Sequence, residues 1–294
     1  MEVGFVGCGI MGEHMCRNII KGGHQTAVFD PAPEPLERLA ADGASVMGSP
    51  AEVAAAADVT VIMVATLQQL RDAITGAGGV VEGLRDGAAV VVMSTVSPDL
   101  TEEMAAAVTA AGGVLVEAPV VLSQPAAIAG ELGIYLGGPE DACARVMPVI
   151  DCMGGNIIRM GDVGQAMTMK LCHNILTANI IQAVSEMIVL GRKVGLDIDQ
   201  MVTAISYGGG QNFFLDSKAA SIKGRDFTPR FSIANMHKDV GLAIDFAAVI
   251  GANMPAATVT KEALDDAMTD GLAGEDFSAV IKVVEGRSGL DGDS

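Results

Sequence analysis

The sequence predicts an α/β fold: an N-terminal doubly wound parallel sheet, then an all-α domain opened by a long helix. Three observations predict it. Residues 2 to 7 (EVGFVG) read as a buried strand that runs straight into a glycine-spaced turn and a helix. The apolar runs at 59 to 65 (VTVIMVA) and 88 to 94 (AAVVVMS) are continuous rather than alternating, which suits parallel strands covered on both faces. From about Gly161 the strand patterns fade and helical ones run to the C-terminus. Sheet and helices are therefore segregated along the chain.

Each element has its own signal. GIMGEHMCRNIIKGGH is a helix closed by the Gly22–Gly23 pair, as at a glycine C-cap. TAVFD is the second strand. PEPLERLAADG is a helix with Pro near its start and Gly past its end, the favoured asymmetry. PDLTEEMAAAVTAAGG is the helix that follows the second apolar run, and GVLVEAPV brings another strand. The long helix is expected from about Gly164 to Val194. A length of 294 residues favours two domains. The expected division is 1–162 for a nucleotide-binding domain and 163–294 for a helical domain that binds substrate and forms oligomers.

Composition narrows the partners. Half the residues are hydrophobic, ample for a core, but only 3% are aromatic. The net charge of −18 argues against nucleic acid, because phosphate backbones call for Lys and Arg. The five cysteines (Cys8, Cys16, Cys143, Cys152, Cys172) show no metal spacing and read as reduced, structural thiols of a cytoplasmic protein. No metal site is expected. No signal peptide is visible. The stretch from Gly164 to Ser185 holds Lys, His, Asn and Gln and reads as too polar to span a membrane.

The first turn carries the cofactor signal. GFVGCGIMG places Gly7, Gly9 and Gly12 in G-x-G-x-x-G spacing between a strand and a helix. Gly7 permits the tight turn, Gly9 lets backbone approach a pyrophosphate, and Gly12 lets helix and strand pack closely. The helix N-terminus offers N–H groups to the phosphates. This is the signature of a Rossmann unit, with Ile10 and Met11 inside the loop and Val64 and Ala65 at the end of the 59–65 run as further cofactor contacts. Asp30 ends the second strand roughly 20 residues past the turn, where an acid can hydrogen-bond a ribose 2′-hydroxyl and repel a 2′-phosphate. Pro31, Ala32 and Pro33 follow it, with no Arg. NAD is therefore expected over NADP, although Asp30 also fits a turn-forming acid before Pro.

Lys170 is the only formally charged residue from Gly164 to Ser185. It shares a helix face with Asn174, four residues on. Desolvation disfavours the charged form of a lysine among apolar neighbours, so its pKa is expected to fall toward neutrality. Such a lysine can take or give a proton near working pH. Taken alone, the same residue also fits a lysine whose head reaches water from an apolar surface.

These motifs, in this order, resemble the β-hydroxyacid dehydrogenases, the family of 3-hydroxyisobutyrate dehydrogenase. The likeness covers nearly the whole chain. GFVGCGIMGEHMCRNIIKGGH resembles the dinucleotide signature, and MSTVSP the segment whose Thr, here Thr95, approaches the nicotinamide side of the cofactor. EAPV (117 to 120) resembles the start of the substrate loop, and GDVGQAMTMKLCHN the segment with the catalytic Lys and Asn, here Lys170 and Asn174. MHKDVGLA resembles the segment whose Lys, here Lys238, reaches the cofactor. The resemblance implies hydride transfer between a 3-hydroxy acid, or related alcohol, and NAD. Lys170 would exchange the hydroxyl proton and Asn174 would hold the reacting oxygen and orient the lysine. It also implies a homodimer or homotetramer.

The sequence departs from the family in the substrate loop. Val121, Leu122 and Ser123 stand where Ser-Gly-Gly is usual, so the loop is bulkier and more apolar, and a substrate larger or differently shaped than the usual small acid is expected. Two other readings fit part of the pattern. A reductase of imines or aldehydes shares the architecture, but imine reducers usually lack the Lys170 equivalent. A non-catalytic dinucleotide sensor would keep the glycines and Asp30 without needing Lys170 and Asn174 together.

Overall fold

In the computed structural model, residues 1–290 are described. The chain divides into two compact units, Met1–Lys170 and Leu171–Ser294. The division falls inside the long helix, whose first turn is hydrogen-bonded to Glu117 at the end of β6. The expected helical domain runs to 294, of which 291–294 lie outside the described residues.

The first unit opens with β1 (Glu2–Val6), α1 (Gly12–Lys21), β2 (Gln25–Phe29), α2 (Pro33–Ala41), β3 (Ser45–Val46), α3 (Pro50–Ala55) and β4 (Val59–Ile62). It continues through α4 (Leu67–Thr75), α5 (Val80–Gly83), β5 (Ala89–Val92), α6 (Pro98–Ala110), β6 (Val114–Glu117), β7 (Val120–Val121), α7 (Gln124–Ala129), β8 (Leu132–Gly137), α8 (Glu140–Ile150) and β9 (Gly154–Gly161). The strand order is β3-β2-β1-β4-β5-β6-β8-β7, with β9 paired to β8. The six strands from β3 to β6 are parallel, as expected. Beyond β6 the direction changes: β8 runs antiparallel to β6 and to β7, and β9 runs parallel to β8. The sheet is therefore mixed.

The continuous apolar runs are explained by burial on both faces. Phe5, Val28, Val61 and Val91 belong to one apolar cluster with Met15 and Ile19 of α1. Val6, Ile62, Val90 and Val92 belong to another, with Leu70 of α4 and Leu100 of α6. All are essentially inaccessible to water, and each such side chain contributes about 1.5–3 kcal/mol by its burial.

The helix α9 (Gln165–Lys193) carries the chain into the second unit, close to the predicted span. By length and composition α9 is apolar enough to cross a membrane, and most of its apolar stretch is buried inside the protein. The expectation that its Lys, His, Asn and Gln make it too polar to span is therefore corrected on composition, and its burial is that of a core helix. The remaining helices are α10 (Ile198–Ile205), α11 (Phe213–Lys223), α12 (Ile233–Ile250), α13 (Pro255–Thr269) and α14 (Ile281–Arg287), with a short 3-10 turn at Phe277–Val280. They pack around a core that includes Ile188, Ile233, Val240, Leu264 and Ile281.

Candidate active site

The cofactor turn is built from backbone contacts. Gly7 has φ +94°, and a Cβ there would stand 2.2 Å from the Met63 carbonyl oxygen. A Cβ on Gly12 would stand 2.0 Å from the Gly7 carbonyl oxygen. Gly9 differs: a Cβ there would meet nothing within 4 Å. Its missing side chain opens space above the turn, where a pyrophosphate can lie against backbone. Ile10 is 76% exposed and Met11 is the half-buried residue that opens α1, with no side-chain cap on the first turn. These features fit a dinucleotide.

Asp30 supports the turn as well as facing it. One carboxylate oxygen accepts the Cys8 N–H at 2.7 Å, and the other accepts the Ala32 N–H at 2.8 Å. A carboxylate has about four acceptor positions, so each oxygen keeps one for a ribose hydroxyl. Burial pushes the Cys8 thiol far up, with Cys16 and Asp30 adding to the effect, so Cys8 is an inert thiol inside the turn. At the neighbouring strand ends, Val64 N–H donates to Ser94 Oγ at 2.7 Å and Ala65 N–H to Gln69 Oε1 at 3.0 Å. Those two residues can therefore meet a cofactor only through side chains and carbonyls. Thr95 follows Ser94 and is half-buried.

The loop after β7 lies beside α1. Gln124 Nε2 is 3.2 Å from His14 Nε2, and Asn18 Nδ2 donates to the Ala127 carbonyl at 2.7 Å. Within the loop the three residues differ. Val121 pairs with Gly133 of β8, where a Cβ would stand 2.5 Å from Val121 Cγ2; its side chain packs on the sheet. Leu122 is 59% exposed and holds φ +77°, a glycine-like conformation. Ser123 opens α7 without capping it.

Lys170 and Asn174 lie on α9, separated by about 6 Å along its axis, and both are buried, 7% and 4% exposed. Asn174 Nδ2 donates to Asp239 Oδ2 at 2.5 Å, and Lys238 Nζ is 2.9 Å from Asp239 Oδ1. Asp239 thus joins two residues singled out from the sequence, Asn174 and Lys238, and is itself 2% exposed. No sequence motif marks Asp239 for this role; it is visible in the sequence only as the residue after Lys238. Glu117 was likewise passed over as the first letter of the substrate-loop motif. It is wholly buried, and its Oε1 accepts the Ala166 N–H at 2.6 Å and the Met167 N–H at 3.3 Å. Burial raises its pKa, although the N–H groups of Ala166 and Met167 pull it down. His237, in contrast, is tied to Asp265 and Lys261.

Residues 2–161 match the family described as the NAD binding domain of 6-phosphogluconate dehydrogenase. Residues 164–284 match that described as NAD-binding of NADP-dependent 3-hydroxyisobutyrate dehydrogenase. Glyoxylate/succinic semialdehyde reductase 1 of Arabidopsis thaliana is 33% identical, covering 97% of this chain and 99% of the relative. The 3-sulfolactaldehyde reductase of Escherichia coli (strain K12) is 30% identical over 98% and 97%. A solved structure of Mycobacterium tuberculosis 3-hydroxyisobutyrate dehydrogenase with L-serine superposes with a TM-score of 0.89 at 32% identity, over 96% of this chain and 98% of that one. The chain belongs to the β-hydroxyacid dehydrogenase family, the group of 3-hydroxyisobutyrate dehydrogenase-like proteins. It is an NAD(P)-dependent oxidoreductase of the class acting on CH–OH groups.

Proposed function

We propose that this enzyme oxidises a 3-hydroxy acid or related alcohol with NAD, or reduces the corresponding carbonyl, using Lys170 as the proton-exchanging group. One observation carries the reading: a buried lysine stands one helical turn ahead of a buried asparagine whose amide is fixed from behind by Asp239. When bound, a nicotinamide dinucleotide supplies the hydride acceptor or donor. In oxidation, the neutral Lys170 amine takes the hydroxyl proton as the carbon surrenders hydride and the C–O bond becomes a carbonyl. In reduction, the ammonium returns that proton to the forming alkoxide. Asn174 gives one amide N–H to Asp239, which leaves its second N–H for the reacting oxygen and its carbonyl oxygen for an N–H of the lysine.

Gly7, Gly9, Ile10, Met11 and Gly12 hold the pyrophosphate end in this reading, and Asp30 selects NAD by repelling a 2′-phosphate. Thr95 and Lys238 reach the nicotinamide half. The loop Val121–Ser123 receives the acid group through backbone N–H donors and Ser123. Its left-handed Leu122 supports a loop path that a glycine would take, now carrying an apolar side chain. The active species is a homodimer or homotetramer working in the cytoplasm; light scattering at micromolar concentration tests this, and a monomer overturns it.

The test is NAD⁺ reduction against a matched panel, for wild type and Lys170→Ala. The panel pairs 3-hydroxy acids with analogues bearing sulfonate, amide or hydrogen in place of the carboxylate. Activity on the acids that vanishes in the folded, NADH-binding variant is the expected result. Wild-type turnover by that variant overturns the role of Lys170. Activity only on the replacements moves the substrate to another class on the same machinery.

A further inference from the structure

We infer that Glu117 is a positioning residue: by taking the Ala166 and Met167 N–H groups in the first turn of α9 from the end of β6, it holds that turn in place and so sets where Lys170 stands. The inference rests on the reading of Lys170 given above.

A buried carboxylate is expensive unless its bonds are made. Glu117 has no exposed surface; Oε1 takes the Ala166 and Met167 N–H groups, and Oε2 is buried with no hydrogen-bond partner among the described residues. The fold makes room for it. Gly137 is its partner in the β6–β8 register, and a Cβ on Gly137 would stand 2.3 Å from Glu117 Oε1.

Helix formation alone does not call for this arrangement. Ser49, Thr66, Ser97, Asp197, Asn212 and Ser232 cap six other helices with their own local side chains, which is the cheaper solution. At α9 the acceptor is instead a strand residue 49 positions upstream of Ala166. A local cap stabilises a helix wherever it lies, whereas a cap supplied by a strand also fixes the helix against that strand. Lys170 lies three residues past Met167, within the next turn. A second tie acts at the same place: Met167 Sδ is 3.5 Å from the Val96 N–H, beside Thr95. Misplacing a catalytic group by about 1 Å can cost roughly 10²-fold in rate, so a carboxylate that holds this turn in register acts on turnover.

The test uses full-length Glu117→Ala and Glu117→Gln beside Lys170→Ala, all assayed with NAD⁺ and a substrate hydroxy acid. NADH affinity is followed by fluorescence. Glu117→Ala is expected to lower kcat by roughly 10²-fold while NADH affinity stays near wild type. Glu117→Gln keeps an oxygen acceptor in the same place and is expected to restore most of kcat. Wild-type kcat in Glu117→Ala, NADH affinity lost in step with kcat, or a Gln variant as slow as Ala each overturns the inference. If Glu117→Ala does not fold, Glu117→Asp replaces it, since the shorter side chain withdraws the acceptor; equal turnover of the Asp and Gln variants then overturns it. A Lys170→Ala enzyme with normal turnover sinks the lysine reading and this inference together, whereas an inactive Lys170→Ala beside a normal Glu117→Ala sinks this inference alone.

Discussion

Asp239 takes the side-chain amide of Asn174 at 2.5 Å while its other oxygen lies 2.9 Å from Lys238 Nζ. An ionised carboxylate only accepts hydrogen bonds. The orientation of the asparagine follows: nitrogen toward Asp239, oxygen away from it. Asp239→Ala removes this constraint and leaves a buried amide unsatisfied. We expect kcat to fall by roughly 10²-fold, the cost of a displaced polar group at the reacting centre, and NADH affinity to fall less. Steady-state kinetics with a fluorescence titration of NADH checks both. Unchanged kcat would mean that Asn174 needs no support from behind.

Leu122 occupies a left-handed conformation at φ +77° with most of its side chain in water. An L residue there carries roughly 1–2 kcal/mol of strain. Leu122→Gly is expected to stabilise the protein by about 1 kcal/mol net of the added chain entropy, read as a raised Tm. It is also expected to shift kcat/KM toward the smallest 3-hydroxy acids relative to branched ones. A falling Tm would contradict the strain argument, and an unmoved substrate ratio would remove Leu122 from the specificity loop.

Asp30 has two tasks, and a variant separates them. Asp30→Ser removes the charge that opposes a 2′-phosphate, so the NADP to NAD ratio of kcat/KM is expected to rise at least about tenfold, or about 1.4 kcal/mol. It also weakens the bonds from Cys8 and Ala32, at a cost of about 2 kcal/mol, so the Tm is expected to fall. A cofactor ratio that does not move would identify Asp30 as a turn residue only.

Glu117 gives the stability a pH signature. Burial raises its pKa above the ordinary 4.5, against the pull of the Ala166 and Met167 N–H groups. The folded state therefore holds this proton more tightly than the unfolded one. Its contribution is fully present below the ordinary value and is lost as pH rises through the raised folded value. Glu117→Gln is thus expected to be more stable than wild type at neutral pH, with the difference shrinking toward pH 4. Urea midpoints at the two pH values test this; a gap that widens on acidification would reverse the sign.

Much of this was legible in the sequence, for physical reasons that can be named. Strand β1, the glycine turn, α1 and β2 follow one another with unbroken local signals. The span of α9 was readable because its helical pattern runs without a breaker. By contrast, β8 and β9 were not anticipated: LGIYLG and GGNIIRMG are short and glycine-bearing, and their pairing is decided by distant strands. The supports of the site were also hidden. Glu117 meets Ala166 across 49 residues of sequence and Asn174 meets Asp239 across 65. No local period marks such pairs, and only the folded chain brings them together.

The contacts around the three glycines of the cofactor turn sort them into two genetic classes. At Gly7 and Gly12 the obstacle to a Cβ is a carbonyl oxygen of the main chain, on Met63 and Gly7 respectively. Substitution of a neighbouring side chain cannot move that oxygen aside, so a screen for second-site suppressors of Gly12→Ala should return only true revertants. Gly9→Ala meets no protein atom within 4 Å and leaves a folded protein. Its defect belongs to the space above the turn, so its phenotype should yield to a higher supply of dinucleotide in the cell.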